Sequence, residues 1–137
     1  MVREVGYTPR RMRRVDKPWG YELIWAETPR YVGKLLHIAA GQSLSRQYHR
    51  KKEETFFVQA GTMKLELGPA DRVETKTMQP GDTYHCVPGT IHRMIAVTDV
   101  DLMEVSTPEL DDVVRLEDKY GREGTSEPLP HGRSSQR

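Results

Sequence analysis

Short runs of apolar and β-branched residues alternate along the chain with turns that contain glycine or proline, at intervals of roughly ten residues. The runs are YELIWA, YVGKLLHIA, TFFVQA, TMKLEL, RVETKTM, DTYHCV, IHRMIAV and DLMEVS. Short alternating strands at this spacing predict an all-β sandwich or barrel. No run is long enough for the crossover that joins parallel strands, which argues against a parallel sheet. Only DDVVRLEDKY, at 111–120, predicts a short helix, and it follows the last strand.

The two ends of the chain differ from this patterned middle. A length of 137 residues suits a single domain, and the patterned part predicts a β-barrel domain over 15–121. Residues 1–14 are interpreted as a basic N-terminal extension that includes the cluster RRMRR. Residues 122–137 are polar and rich in proline, glycine and serine, so they are predicted to be a disordered tail.

Charge and cysteine content narrow the expected partners and location. The formal net charge is +1 at pH 7, which argues against a surface tuned as a whole for nucleic acid. Cys86 is the only cysteine, so no disulfide forms within the chain, and its strand-like context predicts a buried structural thiol. The sequence shows neither a leading apolar run nor a stretch as long as a membrane span. We therefore expect a cytoplasmic protein without a membrane partner.

Three residues with metal-ligand chemistry occupy positions that strand alternation points inward. Glu54 shares its strand face with apolar residues, where a carboxylate is costly unless it is paired or bound to a metal. His92 opens a similar run, and His49 shares a face with Gln47. These groups together predict a site for a divalent metal ion. The remaining histidines are predicted to be hydrogen-bonded or exposed: His37, His85 and His131.

Residues 41–61, GQSLSRQYHRKKEETFFVQAG, resemble the first motif of the cupin family, Gly-x5-His-x-His-x3,4-Glu-x6-Gly. Every spacing fits, with Gln47 in the place of the first histidine, followed by His49 and Glu54. The second cupin motif resembles GDTYHCVPGTIHRMIA, with matches at Gly81, Gly89 and His92. This resemblance implies a double-stranded β-helix, the jelly-roll barrel of cupins.

Within the cupins, the sequence is most similar to the mannose-6-phosphate isomerase type, including the isomerase domain attached to mannose-1-phosphate guanylyltransferases. Three segments carry this resemblance: KPWGYE at 17–22, LSRQYHRKKEETF at 44–56 and DDVVRLEDKYGR at 111–122. The resemblance implies a homodimer and a set of four metal ligands. These ligands are Gln47, His49, Glu54 and His92. Lys52 and Thr55 replace an arginine and a histidine of the family, and these departures bear on the substrate more than on the metal.

The activity implied by the resemblance is that of a sugar or sugar-phosphate aldose–ketose isomerase. An open-chain sugar would bind one divalent metal ion (Zn, Mn, Fe, Co or Ni) through its carbonyl and adjacent hydroxyl, and a metal-stabilised enediolate would form. A base would move the proton between C1 and C2. Lys34, Lys52 and Arg93 are the candidate catalytic residues, and alternation points Lys34 into the barrel.

Two other functions remain open from the sequence. A cupin dioxygenase would use a similar site for Fe(II) and O₂, although Gln47 argues against it because such sites more often hold a full histidine set. A non-enzymatic cupin that binds a sugar or another metabolite is consistent with the departures at Lys52, Thr55 and Ala96.

Overall fold

The computed structural model describes residues 8–125, which form two antiparallel sheets of six strands each. The strands in chain order are β1 Arg13–Lys17, β2 Gly20–Glu27, β3 Val32–Ile38, β4 Arg46–Tyr48, β5 Glu54–Ala60, β6 Met63–Leu67, β7 Glu74–Met78, β8 Thr83–Cys86, β9 His92–Ala96, β10 Val100–Ser106, β11 Val114–Glu117 and β12 Gly124–Thr125. A 3₁₀ turn at Ala70–Arg72 joins β6 to β7. Each of the eight predicted runs contains a strand, so the all-β prediction is confirmed.

The order of the strands is that of a jelly roll. The first sheet, sheet A, runs β1-β2-β3-β10-β5-β8, and the second, sheet B, runs β12-β11-β4-β9-β6-β7. The pairs β3–β10, β4–β9, β5–β8 and β6–β7 are nested, and they fall alternately in the two sheets. One long hairpin rolled on itself produces this arrangement. The predicted jelly-roll barrel is therefore confirmed.

The predicted helix at 111–120 is wrong, because this segment contains strand β11. β11 pairs with β4 on one side, where Val114 lies opposite Tyr48, and with β12 on the other. These backbone hydrogen bonds extend sheet B, and Val113 and Arg115 alternate inward to buried positions. The tertiary pairing overrides the weak helical propensity of the segment.

The sheets also reach into both predicted ends of the chain. Arg13 and Arg14 belong to β1 and pair with Ile24 and Leu23 of β2, so sheet A begins inside the stretch predicted as an extension. Gly124 and Thr125 of the predicted tail pair with β11. Residues 8–12 and 122–123 lie outside the strands, and the rest of these two predictions, including His131, falls on 1–7 and 126–137, outside the described residues.

The space between the sheets has two halves of different chemistry. One half, here called the apolar half, is lined by buried hydrophobic residues of β3, β5, β6, β9 and β10: Leu36, Ile38, Val58, Met63, Leu65, Met94, Ala96, Val100 and Leu102. The other, the polar half, holds buried charged and imidazole groups: Glu22, Lys34, His49, Lys52, Glu54, His92, Glu104 and Arg115. Within the described range, no helix has the length and apolar character needed to cross a membrane.

Candidate metal centre

His49, Glu54 and His92 meet in the polar half of the barrel. His49 follows β4, whereas Glu54 and His92 are the first residues of β5 and β9. One ligand atom from each residue lies within 4.8 Å of the ligand atoms of the other two. The three residues are 2%, 3% and 1% exposed, in the same order. The convergence predicted from strand alternation is therefore present in the structure.

Backbone carbonyls fix the orientation of both imidazole rings. His49 donates from Nδ1 to the carbonyl oxygen of Asp112 at 2.6 Å, and His92 donates from Nδ1 to that of Thr90 at 2.9 Å. A carbonyl only accepts, so Nδ1 carries the proton and, in a neutral ring, Nε2 keeps its lone pair. These Nε2 atoms lie 3.3 Å and 3.4 Å from Oε1 of Glu54.

This geometry fits a bound cation. Two nitrogen lone pairs and a carboxylate converge in a dry interior, and Nε2 of His92 makes no hydrogen bond there. A positive centre, either a proton or a metal ion, is needed between them. Imidazole and carboxylate ligands suit divalent transition metals, and a histidine that donates its other ring N–H to a carbonyl is the usual arrangement of a metal-bound imidazole.

The electrostatics of the protein groups show the same demand for positive charge. Burial alone would raise the pKa of Glu54, but the Lys52 ammonium and the adjacent His49 and His92 rings hold it well below its ordinary value. Burial lowers the pKa of His92, yet the neighbouring Cys86 and Glu54 raise it to about 10. Both shifts favour a positive charge between the two rings and the carboxylate.

Gln47, the predicted fourth ligand, lies beside this cluster. It stands directly opposite His92 across the β4–β9 pair, so the two side chains lie on the same face of sheet B. Its Oε1 accepts a hydrogen bond from Ser45 Oγ at 2.7 Å. The position is consistent with the predicted role, and metal binding by Gln47 remains a prediction.

A chain of buried ion pairs leads away from Glu54 across sheet A. Lys52 Nζ lies 3.4 Å from both Glu54 Oε2 and Glu104 Oε2. Lys34 Nζ lies 3.7 Å from Glu104 Oε2 and 3.0 Å from Glu22 Oε2. Burial and the nearby charge of Glu54 raise the pKa of Glu104. Carboxylate and ammonium groups thus alternate from the metal centre to β2.

The structure places the three candidate catalytic residues differently. Lys34 and Lys52 are both buried in the polar half, as expected for Lys34 from alternation. Arg93 follows His92 in β9 and therefore lies on the outer face of sheet B, where it contacts Ser43 Oγ at 3.4 Å. There it lines a cavity of about 340 Å³ with Glu117 and other residues of the C-terminal segment. The fold does not bring Arg93 to the metal centre.

Arg115 is a residue of the polar half that the sequence patterns did not reveal. It lies opposite Gln47 across β11–β4, as His92 does across β4–β9. The three side chains therefore form one row on the inner face of sheet B, and Arg115 is buried. Alternation with Val113 would have pointed Arg115 inward if the segment had been interpreted as a strand.

Asp112 is a second missed residue, and it holds the loop that carries His49. Its carboxylate accepts hydrogen bonds from the backbone N–H groups of Arg50, Lys51 and Lys52. Burial alone would raise the pKa of Asp112, but these three hydrogen bonds lower it. Because its own carbonyl also binds His49, the chain after β10 positions a candidate ligand.

The residues predicted to have no role at the metal have ordinary structural contacts. His37 pairs with Asp101 at 2.7 Å and His85 pairs with Glu53. Cys86 is a buried free thiol, as expected. Trp19 is buried in the hydrophobic core.

Structural comparison supports the fold. The protein KdgF from Halomonas sp. superimposes with a TM-score of 0.61 and 20% identity, covering 70% of this chain and 87% of that chain. The capsular polysaccharide assembling protein CapF from Staphylococcus aureus superimposes with a TM-score of 0.66 and 16% identity, covering 80% of this chain and 33% of CapF. At these identities the likeness concerns the architecture alone.

Sequence comparison identifies relatives and a family. The chain is 37% identical over 119 residues to the mannose-1-phosphate guanylyltransferase ManC of Salmonella typhimurium and to that of Escherichia coli K12. Each match covers 80% of this chain but only 23% of the relative, so the chain spans about a quarter of their length. A profile of the cupin domain matches residues 34–107, a range that includes all four predicted metal ligands. With the nested strand order and the inward His–Glu–His cluster, this match shows that the chain belongs to the cupin family.

Proposed function

We propose that this cupin is a metal-dependent aldose–ketose isomerase of a sugar phosphate, with mannose 6-phosphate as the first substrate to test. The observation that carries the proposal is the convergence of two Nε2 lone pairs and the Glu54 carboxylate next to buried lysines. A carboxylate–imidazole set for a divalent ion, beside groups that can donate protons, suits the polarisation of a carbonyl and transfer of a proton. The similarity to mannose-1-phosphate guanylyltransferases agrees with a sugar phosphate as substrate.

The metal would be held by His49, Glu54 and His92, with Gln47 as the fourth ligand. Zn, Mn, Fe, Co and Ni all suit this donor set, and the bound ion would supply Lewis-acid polarisation of the substrate carbonyl. The carbonyls of Asp112 and Thr90 would keep the two rings in the required tautomer.

Lys52 is the cation closest to the proposed metal, through its contact with Glu54. We assign to it the donation of a hydrogen bond or a proton to a substrate oxygen near C1 or C2. Lys34 contacts Glu104 and Glu22 instead, so its proposed role is to position Glu104 and thereby Lys52. Arg93 has no proposed part in the reaction.

The charge balance of the polar half favours an anionic substrate. Its three carboxylates, Glu22, Glu54 and Glu104, are matched by three cations. These cations are Lys34, Lys52 and Arg115. A divalent ion would leave the region with an excess of two positive charges, which a phosphate ester would neutralise. Arg115 is the residue proposed to bind the phosphate, because a guanidinium can hold two phosphate oxygens at once.

The experiment starts with elemental analysis of protein purified without a metal-affinity tag. The metal-loaded protein is then assayed for conversion of mannose 6-phosphate to fructose 6-phosphate. We expect activity in the wild type, its loss in His92→Ala and Gln47→Ala, and its retention in the control His85→Ala, whose histidine pairs with Glu53 at the surface. Inactivity across a panel of free and phosphorylated aldoses, with the metal fully loaded, would contradict the proposal.

A second candidate function is non-enzymatic binding of a sugar or metabolite. The observation that favours it is the deep burial of the three ligands, which is also what a structural metal site requires. A rise in melting temperature with sugar phosphates, without any turnover, would support this alternative. A homodimer and a cytoplasmic location are part of both proposals.

A further inference from the structure

The outer face of sheet A carries an apolar patch at its centre. One row of side chains crosses four neighbouring strands: Leu23 on β2, Leu35 on β3, Met103 on β10 and Phe57 on β5. Strand alternation places these residues on the opposite side of the sheet from the barrel interior. The row is continuous because each residue stands directly opposite the next in the register.

A second row adjoins the first and is more exposed. Val105 of β10 lies opposite Gly33 of β3, and the Trp25 ring covers Gly33 so closely that a Cβ there would collide with the indole. Trp25, Val105 and Phe57 are 49%, 52% and 42% exposed. Contiguous exposed apolar groups of this kind mark interaction sites. We call the two rows together the sheet A patch: Leu23, Trp25, Leu35, Phe57, Met103 and Val105.

Charged groups around the sheet A patch are bonded to partners within a single chain. Arg14 pairs with Asp16 at 3.0 Å and His37 with Asp101 at 2.7 Å on one side of the patch. Glu53 and His85 pair on another side. In a two-fold dimer the same surface faces itself, so an unbalanced charge would meet its own copy and repel it. The centre of this face carries no charged side chain, so that repulsion is confined to its rim.

The size of the face also matches a dimer. Six strands about 4.8 Å apart and about seven residues long, at about 3.4 Å per residue, present roughly 700 Å². Each partner in a standard protein interface buries about 800 Å². The face is therefore large enough for a stable contact when its rim takes part.

From these observations we infer that the sheet A patch is the interface of a homodimer, in which the outer faces of sheet A from two copies pack together. The inference names the surface of the homodimer in the proposed function, and it is independent of the proposed chemistry. The polar half of each barrel lies on the inner side of the sheet, so dimerisation would leave both metal centres separate.

The test compares Val105→Glu with Leu116→Glu. Leu116 is a matched control, since it is 42% exposed but lies on β11 of sheet B. Light scattering after gel filtration, over a wide range of protein concentration, would give the mass of each variant. We expect wild type and Leu116→Glu to be dimers, and the dissociation constant of Val105→Glu to rise at least about 100-fold because like charges would meet at the interface.

A second measurement needs no substitution. The chain has two tryptophans, and Trp19 is buried whereas Trp25 is exposed in one copy. Quenching of tryptophan fluorescence by acrylamide should therefore weaken as the wild type dimerises. A wild type that stays monomeric would overturn both the homodimer and its surface. A dimer that Val105→Glu does not weaken, or whose formation leaves quenching unchanged, would overturn the sheet A patch alone.

Discussion

The polar and apolar halves of the barrel interior are built from the same strands but hold opposite kinds of side chain. Along β3, the inward residues change from Lys34 to Leu36 and Ile38, and along β10 they change from Glu104 to Leu102. Inward and outward residues keep alternating along each strand through this change, so both halves have the same extended backbone conformation. The chemistry of the two halves is therefore set by residue identity at equivalent inward positions.

The difference separates what stabilises this fold from what serves its function. The apolar half buries hydrophobic surface, which is the main favourable contribution to folding. The polar half buries six charged side chains, and removing an ion from water costs several kcal/mol even after relaxation. Apolar residues of similar size would often stabilise a barrel as well or better. The proposed metal centre and its substrate would account for these buried charges.

The sharpest way to separate the halves is to remove Glu54, the residue that both histidines face. In Glu54→Gln we expect metal affinity to fall by at least about 100-fold, since losing even an indirect partner of a metal ligand costs 10–100-fold. Isomerase activity of Glu54→Gln should fall to background as the metal is lost. Glu53→Gln is the matched control, because Glu53 is exposed and pairs with His85. Metal titration by calorimetry would measure the affinity of both variants. Equal metal affinities in Glu54→Gln and Glu53→Gln would exclude Glu54 as a ligand.

The converse substitution tests the apolar half. Leu65→Ala, at a residue 1% exposed, should lower the free energy of unfolding by about 3 kcal/mol through lost burial and a cavity. The metal content of the folded protein should stay at the wild-type value, because Leu65 stands opposite Met94 and not opposite a candidate ligand. Urea denaturation would measure the loss of stability, and elemental analysis would measure the metal content. A loss of metal without loss of stability would contradict the division into two halves.

Arg115 tests whether the polar half recognises an anion. Arg115→Met should raise KM for a phosphorylated sugar by about 10- to 100-fold, the equivalent of one or two charge-assisted hydrogen bonds, with a smaller effect on kcat. The control is Arg46→Met. Arg46 is also buried, but it pairs with Glu66 and Glu117 away from the barrel interior. Steady-state kinetics should show an unchanged KM in the folded control, and equal KM values for both variants would rule out phosphate binding by Arg115.

A smaller effect concerns acid sensitivity outside the barrel, which could otherwise be mistaken for titration of the polar half. Burial alone would raise the pKa of Asp118, but hydrogen bonds from the side chain and backbone of Arg122 hold it below its ordinary value. The contribution to stability is therefore present above the unfolded-state pKa of about 3.9 and disappears as the pH falls through the folded-state value.

Asp118→Asn should accordingly lower the free energy of unfolding by about 1 kcal/mol at neutral pH and by much less near pH 2. Urea denaturation at both pH values would measure the difference. A cost that did not shrink in acid would show that the Asp118 carboxylate is not the source.

Much of the candidate site was predictable because strand alternation depends only on neighbouring residues. The inward directions of Lys34, Glu54 and His92 followed from the apolar residues spaced two apart from them. The glycine that closes the first motif has a physical reason as well. Gly61 has a φ of 89°, and a Cβ there would collide with the Asp99 carbonyl. The spacing of ligands and glycines was therefore enough to predict the family and the His–Glu–His cluster.

The parts that could not be predicted depend on partners distant in sequence. β11 was predicted as a helix because its local pattern permits one, and only pairing with β4 makes it a strand. That pairing sends Arg115 into the barrel and brings the Asp112 carbonyl to His49. The ion pairs of Glu104 likewise join β10 to Lys34 of β3 and to Lys52, both distant in the sequence.

The sequence by itself determined the all-β class, most of the strands and the identity of the candidate ligands, because periodicity and spacing are local properties. The tertiary structure alone decided which charges share the polar half, and it added Arg115 to them. The reason is that the register between nonadjacent strands sets these distances, and register is chosen by the packing of the whole barrel.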